Sequence, residues 1–393
     1  MTTITAVKTV VVSAEVRNWV FVKVETNVPG LFGWGEATLE WKTHSVVGAV
    51  QDCEAMILGE DPTRIEHLYQ KLYRQSFWRM GIIGLSAISA IEQACWDIFG
   101  KTLNQPVYKL LGGAVRERVR MYTHLGGGAM HAVYQSFRSP DPKVIIDHAL
   151  EVIERGYTAI KIQLTPRTEC LSSLAEYKAA AQAMEQLRLA LGDDVDIMVD
   201  CLGRHSLGNA VEFCRVLAPY RPYFVEEPVP PENVDAMAEV CRQSPVPIAT
   251  GERLVTRFQF RELLEKMACH VVQPDLCHCG GLWEARKIAA MAETYTLGVA
   301  PHNPAGPVAN AVALHFDLCT PNFLIQEDMA ADVPWRWEVV EGKPKSEGGY
   351  WLPPEAPGLG IEVNEAAAAR HPFQREVAPS IAVRAKDGAV LDW

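Results

Sequence analysis

The feature that most constrains the fold is an alternation of short β-like runs with amphipathic helical segments through the middle of the chain. Strands that are each followed by a helix predict a parallel sheet with right-handed crossovers, and eight such units match a closed α/β barrel. The helical segments include residues 173–191, 234–242 and 282–294. The eight runs cover residues 118–125, 159–164, 196–201, 223–228, 247–252, 270–275, 297–302 and 323–328.

The competing architecture is a doubly wound open sheet. Such a sheet commonly carries the fingerprint GxGxxG at a nucleotide site. The nearest glycine run, Gly126-Gly127-Gly128-Ala129-Met130-His131, lacks the third glycine. We therefore favour the barrel.

The segments on either side of the barrel differ from it. The first combines antiparallel strands with helices, and the last is rich in proline and ends with a β-like run at 381–384. The predicted elements of the first segment lie at residues 4–12, 19–25, 33–37, 62–74 and 85–100. We predict an α+β capping domain at 1–115, a barrel at 116–330, and a C-terminal segment at 331–393 that returns to the cap.

Ionisable residues stand where the predicted strands end. Active sites of α/β barrels lie at the C-terminal ends of the strands, and ionisable groups there are costly unless they are paired or bind a metal. A whole series of them at one edge therefore favours a functional site over surface pairing. Strands two to eight end in Lys161 with Gln163, then Asp200, Glu226, Glu252, Asp275, His302 and Glu327.

Three consecutive strands each contribute one carboxylate. Asp200, Glu226 and Glu252 are spaced 26 residues apart each time. Carboxylates that converge repel one another unless a divalent cation lies between them, and oxygen ligands suit Mg²⁺, with Mn²⁺ as a substitute. We predict that these three residues bind one Mg²⁺, and that Glu227 points away from it by strand alternation.

Asp275 and His302 end neighbouring strands. A carboxylate that holds one imidazole nitrogen fixes the tautomer and raises the basicity of the other nitrogen, so this pair is our candidate general base. Two roles stay open for Lys161: it pairs with a substrate carboxylate, or it moves protons. We expect Glu327 to hydrogen-bond a developing enolate, provided that it is protonated at that moment.

Composition excludes several other classes of protein. The net charge of −11 disfavours broad binding to nucleic acid, and no apolar run approaches the roughly 20 residues of a membrane span. The ten cysteines do not have the spacing of a small disulfide-bonded protein, so we expect free thiols. The motif Cys277-His278-Cys279 resembles half of a zinc site, but the second half of a zinc finger is missing. With no secretion signal, we expect a cytoplasmic protein that acts on a small carboxylate and assembles with copies of itself.

The motifs around these residues resemble the enolase superfamily, specifically its mandelate racemase subgroup, over essentially the whole chain. The resemblance implies a modified (β/α)₇β barrel under an α+β cap, Mg²⁺ on the substrate carboxylate, and abstraction of the proton α to it. Among relatives it points to acid-sugar dehydratases. Our candidates for substrate binding are Gln163, Arg204, Arg253 and Asn303. The motifs are Asp200, Glu226-Glu227-Pro228, Gly251-Glu252-Arg253, Gln273-Pro274-Asp275, Gly280-Gly281 and Pro301-His302.

Two departures from the family pattern shape the predicted reaction. Gln163 stands where the racemase has a second base, and Leu202 stands where some dehydratases have a histidine acid; His205 is a weak replacement. What remains is a one-base site, in which His302 takes the α-proton and returns it to the leaving β-hydroxyl on the same face. The alternatives are an epimerase or cycloisomerase, and an impaired barrel that only binds metal and sugar acid. We expect specificity to lie in cap loops at 16–32 and 40–46.

Overall fold

A computed structural model describes residues 1–125, 142–164, 171–330, 332–376, 384–385 and 387–391. The first part of the chain forms an antiparallel sheet in the order β1-β2-β3, with helices packed on one side. Buried and partly exposed residues are mixed along β1 at the edge of the sheet, whereas β2 in the middle is almost wholly buried. The elements of this cap are β1 (Ile4–Ala14), β2 (Arg17–Thr26), β3 (Phe32–Glu36), α1 (Thr43–Ile57), α2 (Ile65–Arg74), α3 (Gly81–Leu103) and α4 (Val107–Leu110).

Helix α3 is the central element of the cap. It is nearly all apolar, and it packs so closely on β3 that a Cβ at Gly33 would lie 2.0 Å from the carbonyl oxygen of Ala94. Only glycine allows this approach of strand to helix. The helix is long and apolar enough to cross a membrane by length and composition, but 83% of its most apolar window is buried inside the protein, as in a core helix.

The middle of the chain forms a closed parallel barrel. Each strand from β4 to β10 pairs with the next, β11 pairs with β4, and a bridge from Val299 to Phe323 closes the ring. Its strands are β4 (Val119–His124), β5 (Ala159–Ile162), β6 (Asp196–Asp200), β7 (Val225–Glu226), β8 (Ile248–Thr250), β9 (Val271–Val272), β10 (Gly298–Val299) and β11 (Gln326–Asp328). Its helices are α5 (Pro142–Glu154), α6 (Leu174–Leu191), α7 (Leu207–Leu217), α8 (Val234–Gln243), α9 (Thr256–Glu265), α10 (Leu282–Thr294) and α11 (Pro307–Cys319).

The C-terminal segment contacts both domains. Lys23 of β2 binds Glu365, and the carboxylate of Asp97 in α3 accepts a hydrogen bond from the amide of Leu359. A hairpin within the segment instead adds to the barrel sheet, because β14 pairs with the first half of β4. The predicted run at 381–384 lies almost wholly outside the described residues. The elements are β12 (Val340–Glu341), β13 (Ser346–Glu347), β14 (Tyr350–Trp351), β15 (Glu362–Val363) and α12 (Glu365–Ala368).

The fold class predicted from the sequence is confirmed: within the described residues, eight parallel strands joined by seven helices carry an α+β cap. The cysteines in the described part of the chain are free and buried. Our limits for the domains, at residues 115 and 330, stay predictions.

Candidate active site

A cavity of about 240 Å³ lies between the cap and the C-terminal ends of the barrel strands. A cavity of this size suits a small molecule rather than a polymer. The cap supplies Thr38, Leu39, Glu40, Trp41 and Ile82, and so the predicted loop at 40–46 borders the cavity while 16–32 does not. The barrel supplies His124, Gln163, Asp200, Leu202, Glu252, Arg253, Asp275, His278, His302, Pro304 and Ala305.

The predicted base pair forms at one side of this cavity. Nδ1 of His302 lies 2.8 Å from Oδ2 of Asp275, and its Nε2 lies 3.5 Å from Oε2 of Glu252. Burial alone would lower the pKa of His302, but Glu252 and Asp275 outweigh it and raise that pKa well above 6.5. One nitrogen of His302 is held by a carboxylate and the other lies at the cavity. This is the geometry of a general base, which accepts a proton when the ring is neutral.

The three carboxylates predicted to bind metal lie close enough to perturb one another. Burial, together with Asp200 and Glu252, raises the pKa of Glu226 well above 4.5. Burial raises the pKa of Glu252 to about 7, and its buried Oε2 accepts no hydrogen bond. In the described ranges no three His, Cys, Asp or Glu side chains yet converge as a metal cluster. Buried carboxylates that repel one another, one with an unbonded oxygen, fit a divalent cation as partner.

Lys161 lies beneath the cavity rather than on its wall. Its Nζ is 2.6 Å from Oε1 of Glu226, 2.8 Å from Oε1 of Glu327 and 3.9 Å from Oδ2 of Asp200, and the side chain is fully buried. Burial would lower the pKa of Lys161, but Glu226 and Glu327 raise it well above 10.5. The ammonium is thus paired with Glu226 and Glu327, as a buried cation requires, and the two roles left open for Lys161 stay predictions.

The neighbours of Glu327 favour its carboxylate form. Although burial raises its pKa, Lys161 and His302 lower it by more, to about 2. Its Oε2 accepts a hydrogen bond from the backbone amide of Asn303, 2.8 Å away. This setting opposes the protonated form that a hydrogen bond to an enolate needs, and that role of Glu327 stays a prediction.

His124 is a site residue that our sequence analysis missed. It ends β4, lines the cavity, and places Nδ1 3.2 Å from Oε1 of Glu327 and Nε2 3.8 Å from Oδ2 of Asp200. Burial and the charge of Lys161 lower its pKa, which favours the neutral imidazole. The strand-end rule would have found it had it been applied to the first barrel strand.

The four candidates for substrate binding divide into two pairs. Gln163 and Arg253 line the cavity, and Arg253 also binds Glu227 through Nε and Nη2. Glu227 thus has other partners than Glu226, and its place outside the metal site stays a prediction. Arg204 and Asn303 do not line it. Asn303 is buried and donates to Oδ1 of Asn310, 2.7 Å away, so its side chain braces the loop that follows His302.

Leu202 lines the cavity where a histidine acid would stand, and its backbone amide donates to Oδ1 of Asp200 at 2.9 Å. His205 cannot replace that acid from its position. Its buried ring packs on Phe213, outside the cavity, and burial lowers its pKa to about 4. Neither Leu202 nor His205 can therefore supply the acid.

Comparison with known proteins agrees with this geometry. The model of the mandelate racemase/muconate lactonizing enzyme N-terminal domain matches residues 1–112, and the enolase C-terminal domain-like model matches residues 144–367. The D-galactonate dehydratase of Ralstonia nicotianae is 38% identical over 95% of this chain and 96% of its own length, and that of Cronobacter sakazakii is 36% identical over the same shares.

A solved structure extends the likeness to the whole chain. An enolase from Pantoea ananatis, crystallised with D-gluconate and Mg, superimposes with a TM-score of 0.89 at 31% identity and covers all of both chains. A mandelate racemase/muconate lactonizing enzyme-like protein from a Roseovarius species gives a TM-score of 0.88 at 35% identity over 95% of this chain and 96% of its own. The two matching family models agree with the observed cap and barrel. This chain therefore belongs to the mandelate racemase/muconate lactonizing enzyme family of the enolase superfamily.

Proposed function

We propose that the chain is a Mg²⁺-dependent dehydratase of an aldonate or aldarate, which yields a 2-keto-3-deoxy acid. The observation that carries the proposal is the Asp275–His302 pair, which adjoins Glu252 in the wall of a cavity of small-molecule size. The relatives named D-galactonate dehydratase and the neighbour with bound D-gluconate support a sugar acid as substrate.

Asp200, Glu226 and Glu252 would hold the Mg²⁺. Bound there, the ion supplies positive charge that stabilises a substrate carboxylate as it gains electron density. The fit rests on the donor chemistry: Asp200 and Glu226 are buried, Glu252 is only slightly exposed, and its Oε2 accepts no hydrogen bond. Mn²⁺ has the same preference for oxygen and is expected to substitute.

His302 moves the proton in both directions. Its Nε2 takes the α-proton of the substrate, while Asp275 stabilises the resulting imidazolium through Nδ1. The imidazolium then gives this proton to the β-hydroxyl, which leaves as water when the bond from the β-carbon to oxygen breaks. Because Leu202 has no proton to give, both transfers take place on one face of the substrate.

Lys161 and Glu327 support this chemistry from below the cavity. The ammonium neutralises Glu226 and Glu327 in a fully buried setting, so we propose a positioning role for it in place of direct substrate contact. Glu327 in turn holds His124 and the amide of Asn303 beside the substrate space. Gln163 and Arg253, which line the cavity, are placed to bind substrate oxygens.

One observation favours a second candidate, an epimerase. His124 lines the cavity from β4 as a second imidazole, and its lowered pKa keeps it able to accept a proton. A base on each face of the substrate would allow the α-carbon to invert. The cytoplasmic location and the homo-oligomer stay predictions.

A panel of aldonates and aldarates, assayed for 2-keto acid formation with Mg²⁺, tests the proposal. We expect at least one acid to be dehydrated by the wild-type protein and not by His302→Asn. The matched control is His67→Asn on the cap helix α2, where the same change alters an exposed imidazole. The proposal would be contradicted if no sugar acid were dehydrated, or if His302→Asn turned one over as fast as the wild-type protein.

A further inference from the structure

Two imidazoles approach the same oxygen of Asp275. Nδ1 of His302 lies 2.8 Å from Oδ2, and Nε2 of His278 lies 3.6 Å from that atom on its other side. The first distance is a hydrogen bond and the second is too long for one. His278 also lines the cavity, yet the chemistry proposed above gives it no part.

The other nitrogen of His278 is held by the cap. Its Nδ1 lies 2.9 Å from Oγ of Ser86 on α3, and the same Oγ donates its proton to the carbonyl oxygen of Ile82, 2.7 Å away. A hydroxyl has a single proton, so while that proton lies on the carbonyl oxygen of Ile82 the Oγ accepts from His278. This arrangement assigns the hydrogen of the contact to Nδ1 of His278.

This assignment leaves Nε2 of His278 without a proton. Burial lowers the pKa of His278, which favours the neutral ring with its one hydrogen on Nδ1. Its Nε2 then turns a lone pair towards Asp275, and the 3.6 Å between the two atoms agrees with a contact that shares no hydrogen. With the opposite tautomer, Nε2–H would donate to Oδ2 and compete with His302 for it.

We propose that Ser86 is a positioning residue that locks His278 in the Nδ1–H tautomer, so that Asp275 serves His302 alone. The inference deepens the proposed function and rests on it. Through this contact the capping domain, and not only the barrel, sets the strength of the base. Loss of the Ser86 hydroxyl frees His278 to donate to Asp275, which takes electron density away from the carboxylate that supports the imidazolium of His302.

The same helix offers a matched control. Ser89, one turn further along α3, donates to the carbonyl oxygen of Leu85 and accepts from the amide of Gly280 at 3.1 Å. Each serine thus hydrogen-bonds both to a carbonyl oxygen of its own helix and to the same loop of the barrel. Only Ser86 touches an imidazole.

The kinetic test compares Ser86→Ala with Ser89→Ala in the full-length protein. We expect Ser86→Ala to lower kcat about tenfold with KM unchanged, as is usual when an outer hydrogen bond to a catalytic pair is lost. Ser89→Ala should change kcat less than twofold, although it should change the melting temperature about as much as Ser86→Ala does. Wild-type kcat in Ser86→Ala, or an equal loss in Ser89→Ala, would overturn the inference.

Two further variants separate the tautomer from packing. Ser86→Thr retains the hydroxyl and should keep kcat within about threefold of wild type. His278→Asn keeps a hydrogen-bond donor near Ser86 but removes Nε2, the atom that could compete for Asp275. When Ser86→Ala is added to His278→Asn, we therefore expect no further change in kcat. Additive losses in the double variant would contradict the lock.

A measurement without substrate distinguishes failure of this inference from failure of the proposed function. Long-range ¹H–¹⁵N spectra of the ¹⁵N-histidine-labelled wild-type protein report which nitrogen of each neutral imidazole carries the hydrogen. We expect Nδ1–H for His278, and a shift towards Nε2–H in Ser86→Ala. An Nε2–H form in the wild-type protein refutes the lock whatever the protein catalyses, whereas an inactive wild-type protein with Nδ1–H refutes only the proposed function.

Discussion

Replacement of Asp275 by asparagine tests the base most sharply. The buried carboxylate accepts a 2.8 Å hydrogen bond from Nδ1 of His302, and a bond to a charged group contributes about 1.5–3 kcal/mol. At about 1.4 kcal/mol per factor of ten, its loss slows proton transfer roughly 10–150-fold. The amide oxygen can still accept from the backbone of Cys277, 2.7 Å from Oδ1, so the new NH₂ group faces His302.

That NH₂ group adds a second effect. Since it can only donate, Nδ1 of His302 must become the acceptor and Nε2 must carry the hydrogen, which blocks Nε2 from taking the α-proton. With both effects we expect kcat to fall by at least about 100-fold. The assay is proton NMR in D₂O, which follows loss of the α-proton signal and growth of the keto acid.

Asp328→Asn provides the control for Asp275→Asn. Asp328 is also buried at a strand end and accepts from Tyr157 and Asn310, but it does not contact His302. We expect its kcat to stay within a few-fold of wild type. Exchange and turnover at the wild-type rate in Asp275→Asn would refute the reasoning about the base.

Two further predictions concern metal and stability. Glu226→Gln removes one anionic ligand, so calorimetry should show Mg²⁺ binding at least about tenfold weaker, and unchanged affinity would contradict the assignment. His315 is fully buried with a pKa lowered to about 4, so the unfolded chain takes up its proton first as the pH falls below about 6.5. Its contribution of about 3 kcal/mol is complete above that pH and is lost on the way down to about pH 4. Urea unfolding at pH 7 and 5 should show a smaller loss of stability in His315→Gln than in the wild-type protein.

The order of strands and the strand-end residues could be predicted from the sequence because each depends on local pattern. A β-like run that ends in Asp200 or Glu226 is visible within a few residues, and parallel strands necessarily bring such ends together. The same logic would have found His124. Local pattern also identified α3, although its ends fall several residues beyond the predicted ones.

Contacts between distant segments could not be predicted in this way. Lys161 binds Glu226 and Glu327 and therefore does not line the cavity. This arrangement depends on the conformations of long side chains beneath the strand ends, which the local sequence does not determine. The contact of Ser86 with His278 joins residues 192 positions apart, and neither carries a motif for it. Asn303 was expected to touch substrate and instead braces its own loop, because Asn310 on α11 happens to face it.

The most direct test of the central claim is to run the reaction in D₂O on whichever sugar acid is dehydrated. With His302 as the single base, we predict that recovered substrate keeps its configuration at the α-carbon while the 2-keto-3-deoxy acid accumulates. Recovered substrate that is epimerised, with deuterium at the α-carbon, would show a second base on the opposite face and contradict the one-base dehydratase.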